Sequence, residues 1–139
     1  MSNYILIHNN NIKLNIIDNK LCLTIVSENV TTKDYLELLN ELEIFFNNTK
    51  NNNNNNKFYF IVDISQTTIM NITNIFDYVY KFTLFFKKHD LFLQNHLYGT
   101  IIIMTSKINK VIFDYLLSFY KPTRPYKFYK NYNEIVYDF

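Results

Sequence analysis

Residues 58–64, reading FYFIVDI, are apolar on both faces as far as Asp63, which a strand covered on both sides of a sheet requires and a half-exposed strand does not. Residues 97–104, LYGTIIIM, read as a second buried strand. The chain before them alternates instead. In residues 12–17, Ile12, Leu14 and Ile16 face one way while Lys13 and Asn15 face the other, the period of a strand with one face on a core. With residues 4–8 and 21–26 this predicts a small antiparallel meander. Asn9-Asn10-Asn11 forms one loop, and Asp18-Asn19 forms a tight turn of residues that tolerate positive φ.

Between the strands the apolar period changes to three and four. Tyr35, Leu38, Leu39, Leu42, Phe45 and Phe46 form one stripe of a helix capped by Thr31 or Thr32 and running to about residue 47, with Asp34 in its first turn. Residues 47–57 include six consecutive Asn at 51–56 and read as a flexible surface loop, too polar to order itself. Residues 72–89 predict a second helix with a core stripe of Ile72, Ile75, Phe76, Val79, Phe82 and Phe86. Tyr78, Tyr80, Leu84 and Phe85 carry apolar character further round it. A helix apolar on more than one face needs a second cover, so Tyr78 and Phe85 are candidate residues of a protein interface. Thr105-Ser106 caps a third helix with the stripe Ile108, Val111, Ile112, Tyr115, Leu116 and Phe119, ending before Pro122. Residues 125–130 suit an edge strand. Asn131 and Glu134 open a last short helix through Val136 and Phe139.

That order predicts one α/β domain over residues 1–139: a mixed sheet with an N-terminal antiparallel meander, central parallel strands joined by right-handed crossovers, and about four helices. With 139 residues and 48% hydrophobic content, the chain can bury roughly two-thirds of its unfolded surface. The formal charge of +2 is too small to imply nucleic acid or an anionic membrane by itself. No stretch approaches the roughly 18 apolar residues of a membrane span. The start, MSNYILIHNN, has no secretory leader, so an intracellular, cytoplasmic protein is expected. Cys22 is the only cysteine and reads as a small core residue. His8 has no Cys or second His nearby, and no metal or other cofactor is expected. Gly99 is the only glycine, which excludes a phosphate-cradling Gly-rich loop and a dinucleotide fingerprint.

Asp63, Ser65, Thr67, Thr68, Asn71, Thr73 and Asn74 follow the central strand at its carboxyl end, where open α/β sheets place binding sites. The same hydroxyl and amide groups also serve to cap the next helix and close the turn. The stretch from Phe60 to Ile75, FIVDISQTTIMNITNI, resembles the STAS domain of anti-sigma factor antagonists and sulfate-transporter tails, the SpoIIAA-like group. That family has an apolar strand, then Asp-Leu-Ser, then an Asp-Ser-Ser-Gly-Leu loop opening a helix. The later strand, helix, strand and final helix are similar too, so the resemblance covers most of the chain. Where the family has Asp-Ser-Ser-Gly, this chain has Asn71-Ile72-Thr73-Asn74, which retains a hydroxyl at Thr73 and lacks the glycine. The resemblance implies a regulatory or scaffolding domain without enzymatic activity. It implies that the domain binds a protein partner or a second copy through this loop and the following helix, with Thr73 as phosphoacceptor.

Two other classes compete. Lys121, Arg124, Lys127 and Lys130 interleave with Tyr120, Tyr126, Phe128 and Tyr129, which offers phosphate contacts and stacking platforms to a nucleic acid. The same pattern is an edge strand whose lysines discourage aggregation. A small enzyme would need paired titratable groups in a cleft, and the three His are far apart in sequence with acidic residues mostly on helix surfaces. No catalytic residues are therefore assigned.

Overall fold

The computed structural model describes residues 3–52 and 56–139. Six strands form one sheet in sequence order: β1 (Tyr4–His8), β2 (Ile12–Ile17), β3 (Lys20–Ile25), β4 (Phe58–Asp63), β5 (Leu97–Ile103) and β6 (Tyr126–Tyr129). The β1, β2 and β3 pairings are antiparallel, and β3, β4, β5 and β6 are parallel to one another. Asp18 takes φ 55 in the turn between β2 and β3, as its short polar side chain allows. The crossovers use α1 (Thr32–Asn51), α2 (Ile75–Lys88) with α3 (Asp90–His96), and α4 (Lys107–Phe119). Every parallel step moves one strand in the same direction, so right-handed connections put all the crossover helices on one face.

On that face Leu21 and Leu23, Phe58 and Phe60, and Ile102 meet Leu38, Leu42, Phe45 and Phe46 of α1 and the buried side of α2 and α4. On the other face Cys22, Tyr59, Ile61, Ile101 and Ile103 are covered by the chain after β6, through Ile135 and Phe139. Tyr137 meets Tyr59 edge-on at 4.9 Å, and Lys127 Nζ pairs with Asp138 at 2.6 Å. β4 is thus apolar on both sides for two different reasons, a helical layer on one and an aromatic tail on the other.

The expected helix over residues 131–139 does not form. The chain makes a 3-10 turn at Tyr132–Glu134 and then runs on without regular structure, because so short a helix gains too few hydrogen bonds to repay its nucleation while the irregular tail lays its rings on the sheet. The fourth helix is α3 instead, entered at a bend at His89 (φ −102, ψ 17) and burying Phe92 and Leu93. α1 runs to Asn51, so 47–51 is helical rather than loop; once a packed helix exists, each further residue adds a hydrogen bond cheaply. Asn53 to Asn55 of the expected loop lie outside the described residues.

Asp34 does more than meet the α1 dipole. Its carboxylate accepts from Thr31 N (2.9 Å), Asn11 Nδ2 (2.9 Å) and Asn9 Nδ2 (3.2 Å), while Thr31 Oγ1 accepts from Asp34 N. The β1–β2 loop is thereby tied to the helix start. Burial works to raise its pKa, but these hydrogen bonds outweigh it and hold the carboxyl below its ordinary 3.8.

The helical layer does not seat flush. Two apolar voids, of about 130 Å³ and about 80 Å³ and both partly open to solvent, remain between the sheet and the helices.

Two outcomes are expected. Asp34→Asn lowers stability by about 1–3 kcal/mol at neutral pH. Because the folded value is depressed, that contribution is present above 3.8 and is lost as pH falls through the lower folded value. Denaturant curves for parent and variant therefore converge in acid; a gap independent of pH contradicts this. Gly99 in β5 lies against the Phe139 ring, which a Cβ at residue 99 would overlap. Gly99→Ala costs about 1–2 kcal/mol in the parent but nothing in a Phe139→Ala background, where alanine suits a strand better than glycine. Equal costs in both backgrounds show that the tail does not occupy this place.

Candidate functional site

The chain leaves β4 at Asp63, whose buried carboxylate accepts from Ser65 N at 2.9 Å and Ser65 Oγ at 2.6 Å. These two bonds close the first turn, a local role typical of Asp beside Ser. The next residues are held from below by Asn109 of α4, which is 1% exposed. Its Oδ1 accepts from Ile69 N (2.9 Å), and its Nδ2 donates to Ile64 O (3.1 Å) and Thr67 O (2.9 Å). One amide side chain thus satisfies three backbone groups that no strand or helix serves, which fixes the loop. Ile69 is 5% and Ile72 4% exposed, so the loop is anchored by apolar contacts at both ends of the 3-10 turn Ile69–Asn71.

α2 begins at Ile75, later than the apolar pattern suggests, because Asn74 adopts the left-handed conformation (φ 64, ψ 24) and resets the chain direction. Asn is among the few residues that take it readily. Thr73 is exposed and stands just before this N-cap, not inside the first helical turn. The candidate loop residues serve different ends. Asp63 and Ser65 close a turn, and Asn71 Nδ2 donates to Glu28 Oε1 at 3.2 Å. Thr68 precedes the 3-10 turn without a capping bond from its side chain, and Thr67 keeps a buried hydroxyl with no hydrogen-bond partner. Asn71, Thr73 and Asn74 are the three that are exposed, and of these only Asn71 is tied by its side chain to another element.

Tyr78 and Phe85 do not form an exposed interface. They are 8% and 9% exposed. Tyr78 stacks on Tyr35 at 4.9 Å with its hydroxyl 2.9 Å from Thr32 Oγ1, and Phe85 stacks on Phe46 at 5.7 Å. Both therefore belong to the α1–α2 contact. The second apolar face of α2 is carried by Phe76, Tyr80 and Leu84, between 42% and 45% exposed, spaced by four residues and so aligned along one side of the helix. α4 extends this surface. Phe76 meets Tyr115 edge-on at 4.9 Å, Tyr80 meets Phe119 at 5.6 Å, and Tyr115 meets Phe119 at 4.9 Å. Ile108 and Val111, expected in the core stripe, are 51% and 52% exposed. α4 is rotated so that Asn109 and Ile112 point inward, because Asn109 must reach the loop.

Arg124, Lys127 and Tyr120 of the basic and aromatic segment after α4 are engaged within the chain. Arg124 donates from Nε to Leu97 O (2.9 Å) and from Nη2 to Tyr98 O (3.3 Å), and Lys127 pairs with Asp138. Tyr120 donates to Asp90 Oδ1 at 2.9 Å, and burial with that bond raises its phenol above the ordinary range. On the opposite face, burial pushes the Cys22 thiol up to about 11, Asp63 adding to the shift and Lys20 opposing it, so it carries little thiolate at neutral pH. Among the described residues no three His, Cys, Asp or Glu come together as a metal site. No described helix is long and apolar enough to cross a membrane. Comparison with protein-family models, curated proteins and solved structures gives no match.

Asn109→Leu removes the amide while keeping the volume similar, and leaves three backbone groups without partners in a buried place. The expected cost is about 3 kcal/mol or more in a denaturant unfolding curve, with the largest amide shift changes at residues 64–72. A loss under about 1 kcal/mol shows that the loop does not lean on Asn109.

Proposed function

We propose that this chain is a non-enzymatic, STAS-like intracellular binding module that docks a protein partner on the outward face of α2 and α4, with Thr73 as a phosphorylation switch. The observation that carries the reading is the aromatic and aliphatic surface of Phe76, Tyr80, Leu84, Val111, Tyr115 and Phe119, which begins three residues after the exposed Thr73. Such a surface is unusual on a protein that meets only water, and aromatic residues at its centre suit an interface. The buried thiol of the lone cysteine agrees with an intracellular setting.

Thr73 modification would act by charge. A phosphate of about −1.5 to −2 charges would stand beside the apolar surface. Asp77 already lies in the first turn of α2, paired to Lys81 at 3.0 Å, so the new anion meets a negative neighbour as well as the free amides. Partner binding weakens because the dianion must be desolvated on docking. The fold is not strained, since Thr73 is exposed.

The test is capture of partners from the source cell, comparing parent, Tyr80→Glu, Thr73→Glu and Thr73→Val, with melting temperature and size-exclusion volume recorded for each. A partner held by the parent and by Thr73→Val, and weakened by about 1–3 kcal/mol or more in both Glu variants at unchanged melting temperature, supports the reading. Retention by Tyr80→Glu moves the interface elsewhere, and equal retention by Thr73→Glu removes the switch. A parent that instead elutes as a dimer, broken by Tyr80→Glu, makes the partner a second copy.

A further inference from the structure

We propose that the two voids under the helical layer form one binding site for a small, uncharged, hydrocarbon-rich molecule, such as a medium-chain alcohol. The larger void lies where α1, α2 and α4 meet the sheet, with Ile25, Val62, Ile72, Val79, Phe82 and Ile112 among its walls. Its lining is entirely of apolar side chains and the rings of Tyr35 and Tyr78, so a water molecule inside would find none of the two to four polar partners it needs. The space is about 130 Å³ and partly open to solvent, so a hydrocarbon chain entering it takes apolar wall out of water.

The smaller void continues from it. Val62, Phe82, Phe113 and Leu116 line both. Phe82 and Phe113, two of these shared walls, are only half-buried, so rotation of their rings toward the surface would join the two into one elongated chamber. The far end of the smaller void is polar, with Tyr120, Thr123 and Arg124 in its lining. There Tyr120 Oη and Thr123 Oγ1 converge on Asp90 Oδ1 at 2.9 and 3.4 Å, while Arg124 is turned to the carbonyls of Leu97 and Tyr98. A hydroxyl head can exchange hydrogen bonds with this group. A carboxylate head finds the Arg124 guanidinium already donating to two carbonyls, and a charged body cannot enter the apolar chamber without losing its hydration. The site is separate from the outward α2–α4 surface and does not rest on the docking function.

Methyl-labelled protein titrated with n-octanol, and in parallel with octanoate, tests this by NMR. Saturable shifts at the Val62, Val79, Ile112 and Leu116 methyls, a rise in melting temperature, and at least about tenfold weaker binding of octanoate are expected. Val79→Phe, which fills the larger void, should weaken octanol binding by at least about tenfold. Leu116→Phe at the shared wall is the second variant should Val79→Phe unfold the domain. Shifts that grow without saturation, or that are largest at the exposed Ile108 and Val111 methyls, overturn the site. Octanoate binding as tightly as octanol overturns the assignment to an uncharged ligand.

Discussion

The side chain of Asn109 is the constraint on which the functional end of this molecule depends. A loop leaving a buried central strand exposes backbone groups to an apolar interior, and each one left without a partner costs free energy on the scale of a lost hydrogen bond. Asn109 answers three of them at once, at Ile64, Thr67 and Ile69. Its position also fixes the rotation of α4: with Asn109 and Ile112 inward, Ile108 and Val111 are turned to the outside. The fixed loop delivers the chain to Asn74, whose left-handed backbone starts α2. The outward surface is thus a consequence of satisfying the loop from below.

Handedness accounts for the rest of the layout. Four parallel strands taken in sequence order, with right-handed crossovers, leave one sheet face without a helix. Tyr59, Ile61, Ile101 and Ile103 would be wet there, and the aromatic segment after β6 covers them, with the only glycine of the chain making room for Phe139. The other face carries a helical layer built largely of Phe and Tyr. Rigid rings on three helices do not tile a twisted sheet completely, and the two apolar voids are where they fail to meet.

Much of this was legible in the residues. Continuous apolar runs marked β4 and β5, alternation marked β2, and Thr31 or Thr32 with Asp34 marked the start of α1, because each pattern has a local cause. What escaped was set by distant partners. Nothing local tells that Asn109 reaches back to residues 64–69, although a polar residue three before Ile112 and seven before Leu116, on the face that proved to be buried, was the available signal. Tyr78 and Phe85 looked like surplus apolar residues on α2, yet they pack on Tyr35 and Phe46 of α1, and only the angle between the two helices decides that. The tail after β6 had the capping pattern of a helix, but its rings gain more by lying on the sheet. In the loop, Asp63 and Ser65 turned out to serve the turn itself, while Thr73 and Asn74 remained outward.

Native-state hydrogen exchange at the Ile69 amide is the most direct measurement of the claim that the loop is held rigid by a buried amide rather than by its own residues. That N–H donates to a side-chain oxygen with 1% exposure, so it should exchange as slowly as the amides of β4, opening only when α4 detaches or the domain unfolds. Exchange of Ile69 as fast as that of an exposed loop amide such as Gln66 would contradict the account.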